Sequence, residues 1–310
     1  MSLKTGTWKY EGMLARCKRL EPVPTAVAHP CEQTALSGAV EARNMGLIEP
    51  ILVGPAAKIE ATARSARIDL GKLRIVDTPH SSASAAKAVE LVREGQAELL
   101  MKGSLHTDEL MSAIVSREGG LRTGRRISHV FLMDVPTYHK VLIVTDGAIN
   151  IAPTLEDKVD ICQNAIDLAI LLAHKKPKVA ILAAVETVTS KMPATVDAAA
   201  LCKMAERGQI TGAILDGPLA FDNAISQRAA ETKGIRSAVA GDPDILVAPD
   251  LEAGNILAKQ LTFLANADSA GLVLGARVPV ILTSRADSIR ARTASCAVAM
   301  LAAHARRRQA

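Results

Sequence analysis

Apolar, β-branched runs alternate with Ala- and Leu-rich stretches along almost the whole chain, and this alternation leaves few folds open. Strands are expected at Thr25 to Ala28, Ile51 to Val53, Leu73 to Asp77, Glu98 to Met101, His129 to Asp134 and Lys140 to Thr145, then at Lys178 to Val185, Ile210 to Leu215, Ile245 to Val247, Leu272 to Leu274 and Val278 to Leu282. Helical spacing predicts helices over Met1 to Leu20, Glu32 to Asn44, Ser84 to Glu94, Leu155 to His174, Thr195 to Glu206, Phe221 to Thr232, Leu251 to Leu264 and Ile289 to Ala303. Strands interleaved with helices argue for βαβ units, so the expected class is α/β, with mostly parallel sheets and flanking helices. At 310 residues there is length for two such domains.

Composition narrows the function. Aromatic residues are 2% of the chain, so Ala, Val, Ile and Leu must fill the core, and few rings are available to stack on bases. The net charge of +5 is spread along the chain rather than clustered, which speaks against nucleic acid and for a mildly basic protein handling anionic metabolites. The five cysteines are far apart, without a C-x-x-C pair, so neither a disulfide framework nor a structural zinc site is expected. No run approaches the roughly 20 apolar residues of a membrane span, and a cytoplasmic protein without membrane partners is the expectation. A dinucleotide-binding G-x-G-x-x-G, a P-loop, an H-E-x-x-H and a G-x-S-x-G are all missing, and the dispersed carboxylates suggest no metal.

Polar clusters recur where strands end, which is where open α/β sheets bind ligands. They are Lys102 to Thr107, Thr145 to Asn150, Glu186 with Asp197, Asp216 to Asp222, and Thr283 to Ser288. In the last, a strand breaks into Ser284-Arg285-Ala286-Asp287-Ser288 ahead of a helix. The free N–H groups of a first helical turn attract anions, and a guanidinium such as that of Arg285 is a fixed fork of donors for phosphate. A plainer reading stands beside it: Ser and Asp are the commonest N-caps, and Thr107, Asp108 and Asp222 could likewise be caps.

The order of these clusters resembles the phosphate acetyltransferase and phosphate butyryltransferase family from about Pro24 to Ala303. The likeness rests on Val27-Ala28-His29-Pro30, Met101-Lys102-Gly103 with His106-Thr107, and Ser128-His129-Val130-Phe131. It continues through Thr145-Asp146-Gly147-Ala148-Ile149-Asn150, Gly217-Pro218-Leu219-Ala220-Phe221-Asp222-Asn223-Ala224, Pro249-Asp250 with Gly254-Asn255 and Lys259, and Leu282 to Ser288. The butyryl-type branch, or the similar domain fused to an enoyl-CoA hydratase, looks nearest. The resemblance implies reversible acyl transfer between coenzyme A and phosphate on a two-domain subunit like the isocitrate and isopropylmalate dehydrogenases, usually a homodimer. It implies a first domain of residues 1–133 plus 279–310, a second of 134–278, and an active site in the cleft between them. It also implies no bound cofactor or metal, with coenzyme A thioester and phosphate as the small-molecule substrates.

Within that likeness Ser284 would donate to the carbonyl oxygen that gains charge, and Arg285 would hold phosphate, with Lys102, Ser104 and Thr107 completing the anion site. Asn150 and Lys259 would position the acyl or coenzyme A portion. In the acetyl branch an Asp about two turns beyond the Ser-Arg pair takes the thiol proton, but seven residues after Ser284 this chain has Ala291. Asp287 is the nearest carboxylate and is expected to serve as base, although a helix N-terminus stabilises an anion and weakens it in that role. A dehydrogenase on the same fold, and a catalytically silent acyl-CoA or anion-binding protein, are the alternatives.

Overall fold

The computed structural model describes residues 10–283 and 287–308. They form two compact units, one of Tyr10–Arg125 with the segment from Ala270 onward, the other of Arg126–Ser269. The sequence expectation drew these lines after Met133 and before Pro279.

The first unit runs α1 (Tyr10–Cys17), β1 (Val23–Ala28), α2 (Gln33–Asn44), β2 (Ile48–Gly54), α3 (Ala56–Ala66), β3 (Ile75–Asp77), α4 (Ser81–Arg93), β4 (Leu99–Lys102) and α5 (Thr107–Val115). The second runs β5 (Ser128–Asp134), β6 (Leu142–Thr145), α6 (Leu155–Leu171), β7 (Lys178–Leu182), α7 (Pro193–Glu206), β8 (Ile214–Leu219), α8 (Phe221–Ile225), α9 (Gln227–Thr232), β9 (Ile245–Val247) and α10 (Leu251–Leu264). The chain then returns to the first unit as β10 (Asp268–Leu274), β11 (Val280–Ile281) and α11 (Ile289–Arg307).

Strand order in the first unit is β3-β2-β1-β4-β11-β10, parallel except for the β10–β11 pair. In the second it is β5-β6-β9-β7-β8, parallel except for β5–β6. Both sheets are therefore of the mostly parallel α/β kind. Strands β1 and β4 are buried almost throughout, which is why they read as continuous apolar runs rather than alternating ones.

Small side chains let the helices come close. Helix α11 buries Arg292 through Ala303 and packs against α1 and α2. Its hydroxyls are used inward: Ser295 Oγ accepts the Gly271 N–H at 2.9 Å and donates to the Ala291 carbonyl at 2.8 Å. All five cysteines are free thiols, and burial pushes Cys162 and Cys296 up to about 12. Among the described residues no helix is long and apolar enough to cross a membrane.

Several elements differ from expectation for local reasons. Helix α3 goes unseen in the sequence because just Ile59 and Ala63, one turn apart, are buried. Strand β8 starts at Ile214, not Ile210, and contains Gly217-Pro218; proline is tolerated there because β8 lies at the sheet edge. The helix expected over Phe221 to Thr232 is two helices, divided at Ser226, whose hydroxyl accepts the Ala229 N–H at 3.3 Å. Asp222 is not the cap of α8, which is Ala220, and the cap of α5 is His106 rather than Thr107 or Asp108. The N-terminal helix begins at Tyr10 among the described residues and ends at Cys17.

At the amino ends of β6, β7 and β9 the second unit is tied by an ionic cluster. Lys140 contacts Asp242 at 2.9 Å and Asp244 at 2.8 Å, Lys178 contacts Asp242 at 2.7 Å, and the Lys178 N–H donates to Asp244 at 2.8 Å. Burial alone would raise the Asp244 carboxyl, but bonds from His174, Lys140 and Lys178 outweigh it and hold it well below the usual carboxylate range. A carboxyl depressed by folding contributes stability that is complete above the unfolded value of about 3.9 and is lost as pH falls through the lower folded one. Asp244→Asn should therefore destabilise the protein by about 3 kcal/mol in urea titrations at pH 7, and the deficit should shrink below about pH 3.

Candidate functional site

In the first unit Ala28 pairs with Lys102 and Met101 with Ile281, so the carboxyl ends of β1, β4 and β11 lie side by side. His29, the Lys102-Gly103-Ser104 turn and the segment beginning at Leu282 are consequently neighbours. Gly103 makes this possible. A Cβ there would lie 2.3 Å from the Ala28 carbonyl oxygen and 2.5 Å from that of His29, closer than any side chain tolerates. The Gly103 N–H donates to Ala28 O at 2.8 Å, and the Ser104 N–H and hydroxyl donate to His29 O at 2.9 and 2.7 Å. Ser104 Oγ also accepts the Cys31 N–H at 3.1 Å. Its hydroxyl hydrogen is thus spent on the backbone, and Ser104 shapes the turn rather than offering that donor to an anion. Lys102 is buried, with Nζ 3.5 Å from the Gly103 carbonyl.

The start of α11 is held from beneath. Ser288 caps it, accepting the Ala291 N–H at 3.1 Å, so the expected cap role falls on Ser288 rather than Asp287. Asp287 is half-buried. Arg292 is 3% exposed and donates to Thr283 Oγ1 at 2.9 Å, joining the helix to the end of β11. Its side chain lies over Gly38 of α2, where a Cβ would come within 2.8 Å of Cδ. Burial lowers the Arg292 pKa, opposed by Asp287, Cys296 and Glu32, so Asp287 sits in the field of a buried cation. Ser284 and Arg285, the two residues on which the sequence reading placed most weight, lie outside the described residues.

Thr107 is the first residue of α5, whose N-terminal turn is already served by an acid of its own. Glu109 accepts from the His106 N–H at 3.0 Å and from the Ser81 hydroxyl at 2.6 Å, and these bonds, Ser81 first, lower its pKa. An anion at Thr107 would meet that carboxylate, which weakens the expectation that Thr107 completes an anion site.

In the second unit the Thr145 to Asn150 turn wraps around Asp146. That carboxylate accepts the N–H groups of Ala148, Ile149 and Asn150 at 2.9, 3.1 and 3.3 Å and the Asn150 Nδ2 at 2.6 Å. Asn150 further donates to Ile127 O at 2.9 Å and accepts from Arg126 Nε at 2.8 Å. Both amide hydrogens and the amide oxygen have protein partners, so Asn150 holds this turn together and is not free to position substrate. Beside it, burial pushes the His129 imidazole down to about 4, against the opposing charge of Asp146, so the ring is neutral. Lys259 is exposed on α10 and makes no ion pair among the described residues. At the carboxyl ends of β7 and β8, Lys233 bridges Glu186 and Asp222, each at 3.2 Å, while Asp197 pairs with the buried Lys158 at 2.7 Å.

Sequence reasoning missed Arg292, though an arginine one turn after Ser288 and directly ahead of the apolar, alanine-rich run of α11 was a visible signal. It also passed over His29 as a residue with chemistry of its own. Among the described residues no group of three or more His, Cys, Asp or Glu side chains is placed to hold a metal ion.

Comparison with known proteins shows the family. Residues 79–300 match the family model described as phosphate acetyl/butaryl transferase. The phosphate acetyltransferase of Rhizobium meliloti is 65% identical over 97% of this chain and 95% of its own, and that of Rickettsia prowazekii is 59% identical over 93% and 82%. The phosphate butyryltransferase of Clostridium acetobutylicum is 40% identical over 94% and 96%. The sequence reading leaned toward the butyryl branch, whereas these higher identities carry the acetyl name. Among solved structures, a branched-chain phosphotransacylase from Enterococcus faecalis superposes with a TM-score of 0.80 at 31% identity, covering 91% of this chain and 99% of that one. A 4-hydroxythreonine-4-phosphate dehydrogenase from Klebsiella pneumoniae, at 11% identity and a TM-score of 0.56 over 91% of this chain and all of that one, shares the fold alone.

Gly103 carries the clearest consequence of this geometry. Gly103→Ala should destabilise the protein by about 1–3 kcal/mol in thermal or urea unfolding, because the backbone crossing must open, whereas Gly95→Ala, where no atom lies within 4 Å but φ is +74°, should cost about 1 kcal/mol through backbone strain alone.

Proposed function

Because the chain belongs to the phosphate acetyl/butyryltransferase family, we propose that it moves an acetyl group reversibly between coenzyme A and inorganic phosphate, as a cytoplasmic homodimer, with Ser284 and Arg285, in the sequence between β11 and α11, as its chemical centre. The family activity, acyl-CoA plus phosphate giving acyl phosphate plus coenzyme A, follows from the match over residues 79–300 and from relatives at up to 65% identity. The acetyl group is chosen because the 59–65% relatives are named for it and the butyryl relatives stand at 40%.

The observation that supports the site is the alignment of β4 with β11, which brings the buried Lys102 ammonium beside the segment leading to Ser284 and Arg285. Phosphate attacks the thioester carbonyl, and the electron pair of the C=O bond moves onto oxygen. Ser284 donates a hydrogen bond to that oxygen, where the bond strengthens as charge develops. Arg285 holds two phosphate oxygens and aims the third, and Lys102 offsets the added negative charge. Collapse of the tetrahedral species expels the coenzyme A thiolate. Arg292, bonded to Thr283, ties α11 to the end of β11 and acts without touching substrate. Lys259, exposed and unpaired among the described residues, remains suited to a coenzyme A phosphate. Ser104 and Asn150 have their side-chain donors committed to protein partners, and Thr107 stands beside the Glu109 carboxylate.

The assay is phosphate-dependent thiol release from acetyl-, propionyl- and butyryl-CoA. Acetyl-CoA should give the highest kcat/KM. Ser284→Ala should lower kcat by about 100-fold or more with a modest change in KM, and Arg285→Ala should raise the KM for phosphate by about 10-fold or more. Coenzyme A binding without turnover in the unmodified protein would instead make it a binding protein. Light scattering should give twice the mass of one chain.

A further inference from the structure

The coenzyme A thiol must lose a proton, or its thiolate regain one. At the start of α11 position 291 is alanine, and Asp287, the carboxylate expected as base, lies in the field of the buried Arg292 cation. Two strands away across the same sheet edge, roughly 10 Å between strand axes, lies His29.

His29 is held in an uncommon way. It has φ of +56°, the left-handed region that costs a non-glycine residue energy, and its carbonyl is clamped by two bonds from Ser104. Its ring is then fixed by a hydroxyl network. Nδ1 lies 3.0 Å from Ser84 Oγ, Thr78 Oγ1 lies 2.9 Å from the same oxygen, and Ser84 Oγ donates to the His80 carbonyl at 2.9 Å. A hydroxyl has one hydrogen and two lone pairs, and a carbonyl can only accept. Ser84 therefore gives its hydrogen to His80 and accepts from both Thr78 and His29. The hydrogen of the neutral imidazole is thus on Nδ1, and Nε2 carries the lone pair. Nε2 makes no hydrogen bond among the described residues.

Resting on the transferase reading above, we propose that His29 is the proton-transfer residue of the reaction, with Nε2 exchanging the proton of the coenzyme A thiol. In the direction acyl phosphate plus coenzyme A, the S–H proton passes to Nε2 as the sulfur pair forms the C–S bond. The C–O bond to phosphate breaks, its electron pair leaving on the phosphate oxygen. The imidazolium, its Nδ1–H still bonded to Ser84, gives the proton to that phosphate, which departs as hydrogen phosphate, and the neutral ring is restored. In the other direction the steps reverse and the leaving thiolate receives the proton.

The groups whose charges reach His29 come from four elements or their approaches: Lys58 on α3, Glu109 on α5, Glu32 ahead of α2 and His80 ahead of α4. Burial first, then Lys58, keeps the ring neutral by lowering its pKa, so the base form is present at neutral pH and is lost on acidification.

The test uses His29→Gly and His29→Asn, because both residues tolerate the left-handed conformation and should fold, as circular dichroism would verify. In the acyl phosphate to acyl-CoA direction, kcat should fall about 100-fold or more in both with little change in either KM. The acidic limb of the wild-type kcat/KM profile, below about pH 6.5, should vanish. Added imidazole should restore turnover in His29→Gly in proportion to its concentration. Folded variants that keep kcat and the acidic limb, or whose defect lies in KM alone, would overturn the proposal while leaving the transferase reading intact. A wild-type protein that makes no acyl-CoA at all would overturn both.

Discussion

The close backbone contact between the turn after β4 and the end of β1 is the constraint on which the rest of the site depends. Four hydrogen bonds cross it, and Gly103 supplies the space for them. The crossing puts Lys102 at the sheet edge next to β11, commits the Ser104 hydroxyl to the backbone, and bends His29 into the conformation from which its ring meets Ser84. A parallel sheet gives such a contact chemical meaning, since its strands end on one side and every turn there faces the same ligand.

A second support comes from below, where α11 carries a buried arginine. Taking a guanidinium out of water is expensive unless its donors are used. Arg292 spends one on Thr283 and lies within the influence of Asp287, with the bare face of Gly38 making room for its chain. The helix start is thereby fixed to the strand end by the bond from Arg292 to Thr283. In the second unit the polar turns are more self-contained. Asp146 consumes the donors of its own turn, and Lys233 bridges two acids.

Much of the fold was legible because parallel strands are buried on both faces and read as unbroken apolar runs; β1, β4, β6 and β9 are of this kind. Helix α3 was not, because two buried residues in eleven leave no stripe to detect. The chemistry was legible as residue types at strand ends and became specific through family likeness. What the sequence could not yield was the use to which each polar group is put. Ser104 and Asn150 have the right chemistry for substrate binding, yet their donors meet carbonyls and a carboxylate far away or just behind in the chain. The tautomer of His29 depends on Thr78, Ser84 and the His80 carbonyl, which are more than forty-five residues away from it in sequence and come together through packing of α4 on β1.

A crystal structure with coenzyme A and inorganic phosphate bound tests the central claim most directly, because it locates the ligands without reference to rate. The account predicts phosphate against Arg285 and Lys102 at the carboxyl ends of β11 and β4, with the coenzyme A sulfur within hydrogen-bonding distance of His29 Nε2. Phosphate held elsewhere, or a sulfur directed away from the edge formed by β1, β4 and β11, would contradict it.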